Sequence, residues 1–162
     1  LLKDSKRWST VNLGEAGAEA NIKALNWTND SGERILVFNA TIPTVKNNVD
    51  ICLFSSNIDD YDLKALVRHD ERALMFGELK GGIDPAGADE HWKTGNTALN
   101  RIRTSFAAAG YPQMRTSFVG AAIERAMAEE IYAQLESGTL TNATNLTNNN
   151  QLIEYCNWLI EL

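Results

Sequence analysis

The sequence predicts an α/β fold in which a short mixed β-sheet lies between helices. Runs rich in Ile, Val, Phe and Thr alternate with segments whose apolar residues recur at helical spacing. The chain has 162 residues, of which 44% are hydrophobic, enough for one compact domain with a core. No apolar run reaches the roughly 18 residues that a membrane helix needs. We therefore expect a single α/β domain over residues 1–162, outside the membrane.

One helix and three strands are predicted in the first half of the chain. Leu13–Trp27 is expected to be a helix, because its apolar residues fall on one helical face. The polar stretch 59–71 is expected to be a loop with a short helical stretch near Leu63–Val67. The strands are rich in β-branched and aromatic residues, and they comprise Arg34–Ile42, Val49–Ser55 and Arg72–Leu79.

In the second half, helices alternate with one further strand. A helix opens at Asp84-Pro85 and stops at Gly110. Its predicted buried stripe is Trp92, Gly95, Leu99, Ile102, Phe106 and Ala109. The Asn/Thr-rich segment Ser137–Asn150 is expected to be a linker, and Cys52 and Cys156 to be small buried hydrophobic residues. The remaining elements are a strand, Arg115–Ile123, and two helices, Glu124–Glu136 and Gln151–Leu162.

The charge distribution is uneven. The net charge of −6 argues at first against a nucleic-acid partner. Residues 91–123, however, contain no acid, whereas both flanking segments are acidic. We call the four cations of this segment the basic belt: Lys93, Arg101, Arg103 and Arg115. Whole-chain acidity therefore says little against local DNA binding.

The strongest chemical signal is the segment Gly77-Glu78-Leu79-Lys80-Gly81-Gly82. Side chains two apart on a strand share a face, so Glu78 and Lys80 project together and Leu79 is expected to turn to the core. Asp50 lies in an apolar run, where an unpaired buried acid is costly. Asp50 and Glu78 are thus candidate hard-oxygen ligands for Mg²⁺. Asp70 is the rival for the first ligand, but it lies in a polar stretch.

These residues resemble a known superfamily. Asp50 followed by Glu78-Leu79-Lys80 resembles the D…E-x-K signature of the PD-(D/E)XK nucleases, although Val49 stands where the motif often has Pro. The stretch 77–103, GELKGGIDPAGADEHWKTGNTALNRIR, resembles the type II restriction endonucleases of the AvaI/BsoBI group, with XcyI-like enzymes close by. The resemblance implies a restriction-endonuclease-like core, and members of the group are longer. We therefore expect this chain to be the C-terminal, catalytic portion of such an enzyme.

The resemblance also implies Mg²⁺-dependent hydrolysis of double-stranded DNA. Asp50, Glu78 and the Leu79 carbonyl would bind the metal, and Lys80 would orient or activate the attacking water. His91 matches a histidine of this group that lies near the active site as a possible general base; the alternative is a surface histidine or a phosphate contact. Glu19 is a further candidate acid near the metal, which could instead pair with Lys23.

Several residues are candidate DNA contacts. Asp84 could accept a hydrogen bond from cytosine in the major groove, or it could simply cap the helix before Pro85. Gly81 and Gly82 would let the backbone approach the duplex. Lys93, Arg101 and Arg103 could contact phosphates, or they could lie on a solvated helix face.

The implied substrate is a GC-rich palindrome of the CYCGRG or CCCGGG kind, which calls for a homodimer in the cytoplasm of a prokaryotic-type cell. A repair or junction-resolving nuclease with the same metal chemistry is one alternative. Another is a secreted glycoprotein binding module, suggested by the Asn-x-Ser/Thr triplets that begin at Asn26, Asn29, Asn39, Asn142 and Asn145.

Overall fold

The computed structural model describes residues 2–4, 7–9, 22–82 and 85–162, in two units, Leu1–Leu74 and Met75–Leu162. Near the start of the chain, β1 (Leu2–Asp4) and β2 (Arg7–Ser9) pair antiparallel. In this described part, no helix combines the length and apolar character that a membrane span requires. The expectation of a single domain over residues 1–162 stays a prediction.

The first unit contains an antiparallel three-stranded meander. Its strands are β3 (Ala24–Asn29), β4 (Gly32–Ile42) and β5 (Asn47–Ser55). Gly32, with φ 115°, forms the tight turn between the first two, a conformation that favours glycine. The short helix α1 (Leu63–Leu66) begins where the Asp62 side chain accepts a hydrogen bond from the Ala65 amide.

Most of the predicted elements of this unit are confirmed, but one is wrong. Residues 24–27 were expected to end a helix, whereas they form β3, with Ala24 opposite Val37 and Trp27 opposite Arg34. The helical spacing of Ala24 and Trp27 is also compatible with a strand that gains its hydrogen bonds from β4, so tertiary pairing decides the outcome. Residues 13–21 of the predicted helix, with Glu19, lie outside the described residues.

The second unit contains three parallel strands that are connected by helices. Parallel neighbours need a crossover, and here helices provide it between β6 and β7 and between β7 and β8. The elements in chain order are β6 (Ala73–Lys80), α2 (Pro85–Ala108), β7 (Arg115–Gly120), α3 (Arg125–Glu136), β8 (Asn142–Asn145) and α4 (Asn149–Glu161). The predicted α/β class, with mixed strand pairing, flanking helices and a restriction-endonuclease-like core, is confirmed.

Helix α2 buries the face that the sequence predicts, except at its end. Trp92, Leu99, Ile102 and Phe106 are buried, as is Gly95, whereas Ala109 is exposed because the helix ends at Ala108. Ring contacts extend this core: Phe106 lies 4.9 Å from Phe76, between ring centroids.

Two further predictions for this unit are wrong. Strand β8 lies inside the predicted linker Ser137–Asn150: its polar sequence gives no strand pattern, and the ladder with β7 supplies its hydrogen bonds. Cys52 is buried as expected, but Cys156 is exposed because it lies on the outer face of α4.

A buried hydroxyl pair ties α4 to the strands. The Tyr155 hydroxyl lies 2.7 Å from Ser117 Oγ, and the Ser117 hydroxyl contacts Met75 Sδ at 3.3 Å. Burial raises the pKa of Tyr155 because the ionised phenolate loses its hydration, although the hydrogen bond with Ser117 opposes this shift.

We expect Tyr155→Phe to lower the free energy of unfolding by about 1 kcal/mol at neutral pH, the net contribution of one hydrogen bond. Unfolded tyrosine ionises near pH 10, whereas buried Tyr155 stays protonated. Its contribution is therefore fully present below about pH 10 and is lost at higher pH. Urea denaturation at neutral pH and above about pH 10 measures the free energy of unfolding of each variant. The control is Tyr132→Phe, since Tyr132 is 61% exposed. Equal alkaline losses in wild type and Tyr155→Phe would contradict the assignment.

Candidate active site

An acidic and a basic residue, Glu78 and Lys80, lie at the carboxyl end of β6, and both side chains are largely shielded from water. The Lys80 ammonium donates to Glu78 Oε2 at 3.1 Å, and the two side chains are 22% and 7% exposed, respectively. Glu78 follows three buried residues of the same strand, Met75, Phe76 and Gly77. A carboxylate in such a setting needs a nearby positive charge, and Lys80 supplies one.

The orientation of this strand end differs from the expectation. Leu79 was expected to turn to the core, but 40% of the whole residue is exposed, whereas the whole Glu78 residue, backbone included, is only 5% exposed. Glu78 stands beside Phe118 in the parallel ladder, and the Phe118 ring packs edge-on against Trp92 of α2, with centroids 5.0 Å apart. Helix α2 therefore covers the face of Glu78, whereas Leu79 lies on the opposite face, at a position that is exposed.

A glycine inside α2 allows this close cover. A Cβ built on Gly95 would lie 3.3 Å from Phe118 Cδ2 and still closer to Cε2, and 3.8 Å from Lys80 Cε. The helix backbone thus rests directly against the Phe118 ring and beside the Lys80 side chain. The interior glycine is the available sequence signal for this contact, because such a residue weakens a helix unless packing requires it.

His91 also lies on α2 and packs against Gly82, two residues after the end of β6. A Cβ built on Gly82 would overlap the imidazole, with His91 Cδ2 at 2.9 Å. Gly81, by contrast, is exposed, and a Cβ there would meet only Leu79 Cδ2 at 4.0 Å. The two glycines therefore have different surroundings: Gly81 faces open space, and Gly82 makes room for His91.

Asp50 belongs to the first unit. It lies half-buried on β5 between buried Val49 and Ile51. On the neighbouring strand, Asn39 lies between Phe38 and Ala40, the partners of Ile51 and Val49. It adopts φ 53°, a left-handed conformation that asparagine tolerates better than most residues. The rival Asp70 accepts a hydrogen bond from the Thr44 hydroxyl at 2.6 Å, which gives its carboxylate a structural role. Asp84 lies outside the described residues.

The cations of the basic belt have different partners. Lys93 is exposed and pairs with Asp89 at 2.5 Å and Glu90 at 3.6 Å; the Asp89 hydrogen bond raises the pKa of Lys93. Arg103 is half-buried and donates to Thr116 Oγ1 at 3.0 Å and to the Thr139 carbonyl at 3.4 Å. Burial lowers the pKa of Arg103. Arg101 and Arg115 are exposed. The predicted role of Lys93, Arg101 and Arg103 as phosphate contacts stays a prediction.

The sequence did not predict the hydrogen bond between Trp92 and Glu130. The buried Trp92 indole donates to Glu130 Oε2 of α3 at 2.6 Å, which fixes the ring that packs on Phe118. A tryptophan at a buried helix position needs an acceptor for its N–H, but the sequence does not say which residue supplies it.

The described residues contain no cluster of three or more His, Cys, Asp or Glu that could hold a metal ion. Mg²⁺ characteristically takes only one or two protein carboxylates and keeps several waters. The buried Glu78 carboxylate is compatible with that demand, so the donor chemistry at the end of β6 suits such an ion.

The comparisons with known proteins identify the class. A Glu-x-Lys pair at a strand end of an α/β core is typical of the PD-(D/E)XK nucleases that the sequence resembles. The family model described as restriction endonuclease BsobI matches residues 1–162, so the chain belongs to this family.

Named relatives agree with this assignment. The type II restriction enzyme BsoBI of Geobacillus stearothermophilus is 51% identical over 144 residues, which are 89% of this chain and 44% of that protein. The type II restriction enzyme AvaI of Nostoc sp. is 45% identical over 162 residues, all of this chain and 51% of that protein, and AvaI of Anabaena variabilis gives the same values. The chain spans about half the length of the curated relatives it matches.

We expect Arg103→Met to lower the free energy of unfolding by about 1.5–3 kcal/mol, the scale of hydrogen bonds made by a charged group. Arg101→Met, two residues away on the same helix, is the matched control and should change it by less than about 0.5 kcal/mol. Urea denaturation monitored by circular dichroism measures both. Equal stability of the two variants would show that the contacts of Arg103 with Thr116 and Thr139 contribute nothing.

Proposed function

We propose that this chain is the catalytic portion of a Mg²⁺-dependent type II restriction endonuclease that hydrolyses phosphodiester bonds of double-stranded DNA. The observation that carries the proposal is the buried Glu78 carboxylate beside the Lys80 ammonium, 3.1 Å away, at the carboxyl end of β6. Family membership supports it, since the matching relatives are named as type II restriction enzymes.

Asp50, Glu78 and the Leu79 carbonyl are the proposed metal ligands. Carboxylate and carbonyl oxygens are the hard donors that Mg²⁺ prefers. A bound Mg²⁺ supplies polarisation of the phosphoryl oxygen and a lowered pKa of bound water. Asp50 is proposed from the sequence signature, and Glu78 from the signature together with its burial.

Lys80 and His91 are the proposed groups that act on the attacking water. The Lys80 ammonium donates to Glu78 and is proposed to orient the water and to offset negative charge on the phosphate. His91 is proposed as the general base, because histidine is the most common side chain in that role and its imidazole lies against Gly82, close to the end of β6.

The proposed DNA surface comprises Asp84, Gly81, Gly82, Lys93, Arg101 and Arg103. Gly81 is exposed, which supports a close approach of its backbone to the duplex. Exposed Arg101 is better suited to a phosphate than Arg103, whose guanidinium already binds Thr116. We propose a GC-rich palindrome of the CYCGRG or CCCGGG kind, a homodimer with one site per strand, and action in the cytoplasm.

We expect the native protein to convert plasmid DNA into discrete fragments when Mg²⁺ is present and to leave it intact in excess chelator, because hydrolysis depends on the metal. Agarose electrophoresis of the digest measures this. A smear or structure-dependent nicks would favour a repair or junction-resolving nuclease. Intact DNA, together with glycan on Asn142 or Asn145, would favour the secreted binding module instead.

We expect Glu78→Gln to lower the cleavage rate by at least about 10²-fold, the scale on which loss of one electrostatic group of an active site acts. DNA affinity should stay the same or increase, because the substitution removes a negative charge near the phosphate. Single-turnover cleavage and filter binding measure the two quantities. The control is Glu136→Gln, an exposed position at the end of α3. Wild-type cleavage by Glu78→Gln would refute the site assignment.

A further inference from the structure

Gly82, two residues after the end of β6, lies against the imidazole ring of His91. A Cβ built on Gly82 would overlap His91 Nε2, and it would lie 2.9 Å from Cδ2 and 3.1 Å from Cε1. Real Cβ atoms do not approach ring atoms this closely. The imidazole therefore occupies the volume that any other residue at position 82 would need.

The backbone conformation does not explain this glycine. Positive φ angles occur among the described glycines at Gly32, Gly110 and Gly138, and Gly82 is not one of them. An alanine at position 82 would therefore suffer no backbone strain of the left-handed kind. The cost of an alanine at position 82 is instead the steric clash of its Cβ with the His91 ring.

A second glycine contacts the same ring with more room. Gly87, one helical turn before His91 on α2, would place a Cβ 3.5 Å from His91 Nε2 and 3.8 Å from Cδ2, which is ordinary van der Waals contact. Gly87 can therefore accept a methyl group, and alanine also suits the helix better than glycine. Gly82 and Gly87 are therefore a matched pair of test positions: the His91 ring leaves room for an added methyl group at position 87 but not at position 82.

We propose that Gly82 is a positioning residue: it leaves the space in which the His91 imidazole is held against the end of β6. The inference rests on the proposed function, which assigns His91 as the general base. A side chain at position 82 turns the imidazole away from the end of β6. This lowers the rate of the chemical step, because the general base is displaced.

The test is a double-mutant cycle in the native protein with Gly82→Ala, His91→Ala and their combination. Gly82→Ala should lower kcat by about 10²-fold or more, the scale of general-base catalysis. Gly87→Ala should cleave at the wild-type rate. In the combined variant the ring is gone, so kcat should equal that of His91→Ala alone. A wild-type kcat for Gly82→Ala, or a further loss in the combined variant, would overturn the proposal.

Thermal unfolding of the same variants tests the contact without relying on cleavage. Gly82→Ala should lower the melting temperature, and adding His91→Ala should restore it, because the small side chain makes room for the new methyl group. Independent effects of the two substitutions would overturn the inference. If wild-type protein cuts no DNA, the proposed function fails, and this unfolding cycle still decides whether Gly82 positions the ring.

Discussion

The structure of the second unit is organised around the burial of one carboxylate. Glu78 is 5% exposed on a strand whose preceding residues are apolar or glycine, and an isolated carboxylate there would cost several kcal/mol. The Lys80 ammonium at 3.1 Å offsets part of that cost. Natural cores rarely keep such a pair for stability, since apolar residues of similar volume would serve equally well. The burial of this pair is therefore weak evidence that it stabilises the fold.

Helix α2 packs closely against the strand end that carries the buried carboxylate. Its 24 residues include Gly95, although an interior glycine destabilises a helix by about 1 kcal/mol relative to alanine. In return the helix lies directly against Phe118 and the Lys80 side chain, and it brings His91 against Gly82. The same helix therefore covers the carboxylate, borders the ammonium and carries the imidazole, so that its packing controls all three groups.

Helices and strands were predicted correctly from the sequence where the local residue pattern favours the same structure as the packing and strand pairing in the fold. The predictions were wrong where strand pairing overrides the local pattern. Strands β4 to β7 and helices α2 to α4 have strong periodicity, and the structure contains them within a few residues of the predicted bounds. Strand β8 has the polar sequence Asn-Ala-Thr-Asn and depends on its ladder with β7, which no local pattern reveals. Leu79 is exposed rather than buried, because the packing of α2, and not the hydrophobicity of the residue, determines what is covered at this strand end. The Glu78–Lys80 pair was predictable from its two-residue spacing, whereas the His91–Gly82 contact was not, since it joins separate elements.

Charge counted along the sequence overstates the basic surface available to a polyanion. Of the four cations of the basic belt, Lys93 pairs with Asp89 and Glu90, and Arg103 donates within the fold. In the part of the chain that the structure describes, Arg101 and Arg115 are the belt cations without such a partner. Two exposed arginines neutralise few phosphates, and affinity for DNA grows with the number neutralised. The proposed DNA contact therefore needs more positive charge than the two exposed arginines of the basic belt supply.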